Sequence, residues 1–189
     1  MNVEYVVRLT GDLELAPKRG KADVDPEQVG VKAARLAELA REGVRVAEGF
    51  AVTAAAYREF VHEAGLKPTI AEEIRRLHAG RDLVVVAADI RSAFRDAPLP
   101  LRVVDEILDA YQDLGGDGTE VAVRCSPMTS ADVVPDEVFL HLTTGHDVLA
   151  ACRRCFASLY GAVAVGKREA EGIDHLKVMM PVTVQRGTV

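Results

Sequence analysis

The stretch that decides the fold is Asp25-Pro26-Glu27-Gln28-Val29-Gly30-Val31-Lys32-Ala33-Ala34-Arg35-Leu36-Ala37-Glu38-Leu39-Ala40, closed by Gly43. Asp25 before Pro26 has the form of an N-cap followed by proline at the first helical position. Val29, Ala33, Leu36 and Ala40 then recur at i, i+4, i+7 and i+11, which predicts one amphipathic helix ending at Gly43. Directly downstream, Val44 to Val46 and Phe50 to Val52 are short apolar strand pieces split by Glu48-Gly49. Thr53 is placed to cap a helix through Ala56, Tyr57, Phe60 and Val61 to Gly65.

Outward from this unit, Val3 to Leu9 reads as a strand and Gly11 to Asp25 as a polar loop. On the other side, Pro68 to Ala79, Asp82 to Phe94 and Leu99 to Leu114 carry helical patterns. They are separated by Gly80 and by Pro98 and Pro100, and form a helical insert over about residues 66–116 that ends in Gly115-Gly116-Asp117-Gly118. Val121, Ala122 and Val123 are consecutive apolar residues within Glu120 to Arg124, predicting a strand covered on both faces. Pro127 and Pro135 make the next stretch irregular, and Glu137 to Thr143 is a further strand. Thr144-Gly145-His146-Asp147 matches a capping box, and Val148, Cys152, Cys155 and Leu159 line one face of the helix it opens. Val163 to Glu171 continues helically. Val178 to Val184 is the last strand, with Pro181 marking an edge or a bulge. The class is α+β, with a mixed or antiparallel sheet and a helical insert.

The 189 residues suit a single domain, and 49% hydrophobic residues are enough for a core without metal or disulfide. With 23 Lys+Arg against 29 Asp+Glu, the net charge is −6, and the basic residues come in pairs at most; no nucleic-acid partner is expected. The longest apolar run, Leu83 to Ala88, is far short of the ~18 residues a membrane helix needs, and Glu4 and Arg8 interrupt any N-terminal signal. The expectation is a cytoplasmic protein with no membrane partner and with its three cysteines reduced.

Two residues stand out for chemistry. Lys32, Leu36 and Leu39 fall at i, i+4 and i+7, which sets the lysine on or beside the apolar helix face and near the helix N-terminus. A cation there is disfavoured by the helix dipole unless an anion is shared, so it either snorkels from the core edge or meets a ligand. Arg124 ends an apolar strand, where its bidentate fork suits a phosphate; the alternative is a pairing with Asp132, Asp136 or Glu137. Cys152-Arg153-Arg154-Cys155, near His141 and His146, lacks the second half of a zinc site, so both thiols are assigned to the core. Cys125-Ser126 has no nucleophile elbow around it, and His62, His78 and His175 are read as solvated or capping.

Two stretches together resemble a known family, the N-terminal ATP-binding domain of phosphoenolpyruvate synthase and pyruvate, phosphate dikinase, shared by rifampin phosphotransferase. Val29-Gly30-Val31-Lys32-Ala33-Ala34-Arg35-Leu36 is similar to the family's Gly-Gly-Lys helix. Val44-Arg45-Val46-Ala47-Glu48-Gly49-Phe50 and Thr53 with Ala56-Tyr57 resemble its Val-Pro-x-Gly-Phe and Thr-x-x-Ala-Tyr segments. Val121-Ala122-Val123-Arg124-Cys125-Ser126, Val138-Phe139-Leu140, Ser158-Leu159 and Val182-Thr183-Val184-Gln185 follow in the family's order. The resemblance implies one ATP-grasp-like N-terminal lobe over residues 1–189, with Lys32 and Arg124 on ATP phosphates and Gln185 near the nucleotide.

There are departures. Val31 replaces the second glycine, Ala47 replaces the proline, and Cys125-Ser126-Pro127-Met128 replaces Ser-Ser-Ala-Thr. The family's Phe-Ala-Gly-Gln loop is not evident between Pro135 and Phe139, and the second grasp lobe, whose carboxylates hold magnesium, is expected to be absent. The resemblance then implies a nucleotide-binding half-domain of a phosphotransferase system that is not competent alone. The alternative is a non-catalytic homologue serving as a protein-interaction module or homo-oligomer.

Overall fold

The computed structural model describes residues 3–9, 24–126, 128 and 138–187. The expected polar loop after Leu9, the irregular stretch around Pro135 and the position of the Phe-Ala-Gly-Gln loop lie largely or wholly outside them. Five strands form one antiparallel sheet: β1 (Val6–Arg8), β2 (Gly49–Val52), β3 (Val121–Cys125), β4 (Val138–Leu142) and β5 (Val182–Arg186), in the order β1-β2-β5-β3-β4. The helices are α1 (Pro26–Val29), α2 (Val31–Arg41), α3 (Ala54–Glu63), α4 (Leu66–His78), α5 (Leu83–Asp96), α6 (Leu101–Asp113), α7 (Gly145–Ser158) and α8 (Ala162–Glu171). The class is α+β, as expected.

The caps read from sequence form locally. Asp25 accepts from the Glu27 N–H, Thr53 from Ala56 and Thr144 from Asp147. The helix expected from Pro26 to Gly43, however, is two helices. Gly30 interrupts it at φ +81°, ψ 159°, a region open essentially to glycine alone. The cause is tertiary: a Cβ on Gly30 would lie 2.4 Å from Ser126 Oγ and 2.6 Å from Ser126 O, so the chain must turn there to meet the end of β3. The buried stripe of this segment is Val29, Ala33 and Ala37, with Leu36 and Leu39 only half-buried.

Strand alternation divides the sheet into two faces. Phe50, Val52, Val121, Val123, Cys125, Val182 and Val184 join the main core with the helices, including an aromatic cluster in which Tyr57 meets Phe156 edge-on at 5.4 Å and Phe94 meets Tyr160 at 5.2 Å. The insert helices α4 to α6 belong to this same core through Ile70, Ile90, Phe94 and Ile107, each of which contributes roughly 1.5–3 kcal/mol by burial. On the other face a smaller cluster packs Val29, Ala33 and Ala37 on Ala51 and Leu9.

Three strand expectations are corrected. Val44 to Val46 forms no strand. β3 is not covered on both faces: Val121, Val123 and Cys125 are buried, whereas Ala122 is half-buried and Arg124 exposed. β5 lies at the sheet centre between β2 and β3, because Pro181 precedes the strand and needs no ladder N–H; its carbonyl accepts the Ser126 N–H at 2.9 Å.

Val148, Cys152, Cys155 and Leu159 are all buried, as their spacing predicted, and burial pushes the Cys152 thiol up to about 12. Among the described residues one stretch, Gly145–Glu171 through α7 and α8, is long and apolar enough by composition to cross a membrane, but it is mostly buried inside the fold, as core helices are. His62 and His78 are exposed, but His175 is not solvated. It is 6% exposed, takes the Arg168 Nε–H on Nδ1 at 3.0 Å, and has Nε2 2.7 Å from Glu169 Oε1. With Nδ1 accepting, the proton sits on Nε2 and is donated to the carboxylate.

Burial, aided by the Arg168 charge and opposed by Glu169, holds the His175 imidazole below its ordinary range. The unfolded chain therefore takes up the proton first, so His175 lends its full stability above about pH 6.5 and loses it as pH falls through that value. The urea midpoint is expected to drop between about pH 7.5 and 5.5, and His175→Gln to flatten that slope. An unchanged slope in the variant would assign the drop to other groups.

Candidate functional site

Across the sheet, Ala51 of β2, Thr183 of β5 and Arg124 of β3 stand in one row, with Gly49, Gln185 and Ala122 in the next. Alternation places all six on the face opposite the main core, and Ser126, two residues beyond Arg124, continues the β3 series. Arg124 and Gln185 are diagonal neighbours across the β3–β5 pair, a separation of roughly 7–8 Å. Arg124 is exposed and Gln185 half-buried. Gly49, facing Gln185, leaves necessary room: a Cβ there would lie 2.4 Å from Val184 O and 3.1 Å from Gln185 Cγ.

The helix start comes to the same place. Gly30, the N-cap of α2, abuts Ser126 and brings no side chain of its own to cap the helix. Its N-terminal dipole and amide donors therefore stand at the end of β3, an arrangement suited to an anion. Lys32 is two residues into this helix and exposed, beside the buried stripe and not within it. Val31, at the second glycine position of the resemblance, is 59% exposed and ordinarily helical, so its side chain meets no obstruction and no strained dihedral.

Two buried hydroxyls complete the site. Among the described residues, Ser126 Oγ and Thr183 Oγ1 have no hydrogen-bond partner, although their residues are 1% and 3% exposed. Leaving such a group unpaired costs about 1–3 kcal/mol, which a ligand oxygen would recover. The sequence assigns neither a binding role: Ser126 and Thr183 stand within segments of the family resemblance, Ser126 is otherwise considered as a nucleophile, and Thr183 lies in an apolar strand. The signal was the polar alternation Arg124, Ser126 and Thr183, Gln185 within otherwise apolar strands. Cys125 points the other way, its Sγ 3.5 Å from Ser158 Oγ in the core. The acids Asp132, Asp136 and Glu137 lie outside the described residues.

One exposed guanidinium, two unpaired hydroxyls, an amide side chain and an uncapped helix start thus meet on a sheet face whose β2, β3 and β5 residues include no carboxylate. This is an α+β domain with a set of groups on one sheet face whose chemistry suits an anionic, phosphate-bearing ligand. The chain belongs to the family described as the pyruvate phosphate dikinase AMP/ATP-binding domain, whose model matches residues 26–188.

Among its relatives, a phosphoenolpyruvate synthase of Pseudomonas aeruginosa is 37% identical over 97% of this chain and 24% of its own length. A probable phosphoenolpyruvate synthase of Methanothermobacter thermautotrophicus is 35% identical over 88% of this chain and 26% of its own. A rifampicin phosphotransferase of a Streptomyces species is 33% identical over 96% and 21%. The chain spans about a quarter or less of the length of these relatives.

Proposed function

We propose that this chain binds ATP through the sheet face just described and serves as the nucleotide-binding part of a phosphotransferase, the first lobe of an ATP-grasp-like site. In this reading Arg124 and Lys32 supply positive charge to the phosphates, the α2 start and the Ser126 and Thr183 hydroxyls donate hydrogen bonds to phosphate oxygens, and Gln185 orients the nucleotide. The observation that carries it is the pair of buried hydroxyls, unpartnered among the described residues, on this sheet face, with Ser126 against Gly30 at the start of α2. Among the described residues no three His, Cys, Asp or Glu side chains stand together as metal ligands, and the strand residues of this face supply no carboxylate to share magnesium with a phosphate. Phosphoryl transfer rests on positioning and charge stabilisation, and in this reading the carboxylates that would share a metal with the phosphates come from beyond this sheet face.

Thr183→Val separates this reading from a structural one. Removing an unpaired buried hydroxyl is expected to leave the ligand-free protein as stable or more stable by up to about 1–2 kcal/mol, while ATP binds several-fold more weakly in calorimetric titration. A hydroxyl of structural value would give the reverse pattern, lower stability with unchanged affinity.

A second reading, an interaction module or homo-oligomer, draws on β4, an edge strand with Val138 39% and Leu140 54% exposed. A folded protein that takes up no ATP at millimolar concentration, and sediments as a dimer, would favour it.

A further inference from the structure

A second concave site lies on the other side of the sheet, in the helical layer. Its cavity of about 230 Å³ opens between α3, the start of α4 and residues 176–179. Tyr57 and Tyr160 form its inner end, and Val61, Ile70 and Val178 are among its apolar walls. Three cations stand in its lining, Arg58, Lys67 and Lys177, and no carboxylate does.

Several arginines elsewhere are answered by acids: Arg75 and Arg76 by Glu72, Arg81 by Glu73 and Asp89, Arg186 by Glu48. Here the Arg58 guanidinium donates to a thioether, Met179 Sδ, at 3.1 Å. Among the described residues neither Arg58 nor Lys67 makes an ion pair, and Lys177 has only a loose one, 3.9 Å from Asp174 on the surface. Three like charges on one concavity repel each other and focus a positive potential into it, against an overall charge of −6.

The inner end is amphipathic. Tyr57 OH and Tyr160 OH are 3.4 Å apart, and Tyr160 donates to the His175 carbonyl at 2.9 Å, which leaves Tyr57 with one long hydrogen bond. Burial keeps both phenols protonated, with Tyr57 raised well above its usual range. A ring or short alkyl group meets aromatic and aliphatic wall here, while a charged head at the mouth meets the cations. At about 230 Å³ the cavity is below the ~300–1,000 Å³ of drug-sized sites, so the occupant is small.

We infer that this cavity is a binding site for a small amphipathic carboxylate, held at its acid group by Arg58, Lys67 and Lys177 and at its apolar body by the Tyr57–Tyr160 end. It is separate from the ATP reading, since none of its lining residues lies on the sheet face that carries Arg124.

The test uses the whole chain and a charged and neutral pair of equal shape, benzoate and benzamide, followed by amide and tyrosine-ring NMR shifts. Benzoate is expected to saturate at millimolar concentration, moving resonances of Tyr57, Ile70 and Val178, with benzamide at least tenfold weaker. Arg58→Gln and Lys67→Gln, both at exposed positions, should each weaken benzoate several-fold, whereas Arg124→Ala should not. Equal binding of benzamide, or no saturable shifts at the cavity in the folded wild-type chain, overturns the assignment.

Discussion

Arg124→Ala is expected to weaken ATP binding by roughly ten- to a hundredfold, with thermal stability close to unchanged. The magnitude is that of a charge-assisted hydrogen bond to phosphate, about 1.5–3 kcal/mol. Stability should hold because the side chain is exposed on a strand whose packing comes from Val121, Val123 and Cys125 on its other face. Lys32→Ala should lose less, since a flexible ammonium on the exposed side of α2 acts as a point charge without the bidentate fork. Calorimetric titration of the three proteins, with and without magnesium, reads this directly. Equal affinity of Arg124→Ala and wild type would remove the arginine from the site and, with it, the main electrostatic support for the phosphates.

Gly30→Ala should be the most damaging single change on this face. Two effects combine. The backbone at φ +81°, ψ 159° costs a non-glycine residue about 1–3 kcal/mol, and the new methyl meets the Ser126 carbonyl oxygen at 2.6 Å, a backbone atom that cannot swing aside. Overpacking of this kind adds a further ~1–3 kcal/mol, so a loss of roughly 2–6 kcal/mol is expected in urea unfolding. Relief requires α2 to move off the end of β3, so ATP affinity should fall as well. Val31→Ala is the contrasting control: that side chain is 59% exposed, and the change should leave affinity and stability nearly unaltered. A Gly30→Ala protein as stable as wild type would mean that the tight approach of α2 to Ser126 is not maintained in solution.

Much of the architecture was legible in the residues because the local signals are physical and short-ranged. Asp25-Pro26, Thr53 and Thr144 start helices through hydrogen bonds completed within one turn. The spacing of Val148, Cys152, Cys155 and Leu159 marks a buried stripe wherever that helix packs, and it ruled the paired thiols into the core before any neighbour was known. Lys32, Arg124 and Gln185 could be singled out, but their relation could not, since it depends on β3 and β5 pairing across a separation of nearly sixty residues in register Arg124↔Thr183. The errors share that origin. Three consecutive apolar residues did not reveal that Ala122 faces away from the core, and Pro181 looked like a mark of an edge when it only precedes a central strand.

What the sequence determined by itself is the α+β class, the order of the elements, the caps and the apolar faces, because each follows from the preferences of residues a few positions apart. Tertiary structure alone decided that Gly30 breaks a helix, that two hydroxyls are buried without partners, that His175 is enclosed, and that Arg58, Lys67 and Lys177 surround one cavity. Each of these depends on which distant backbone arrives beside a residue, and burial and electrostatics are properties of that arrival and not of the residue itself.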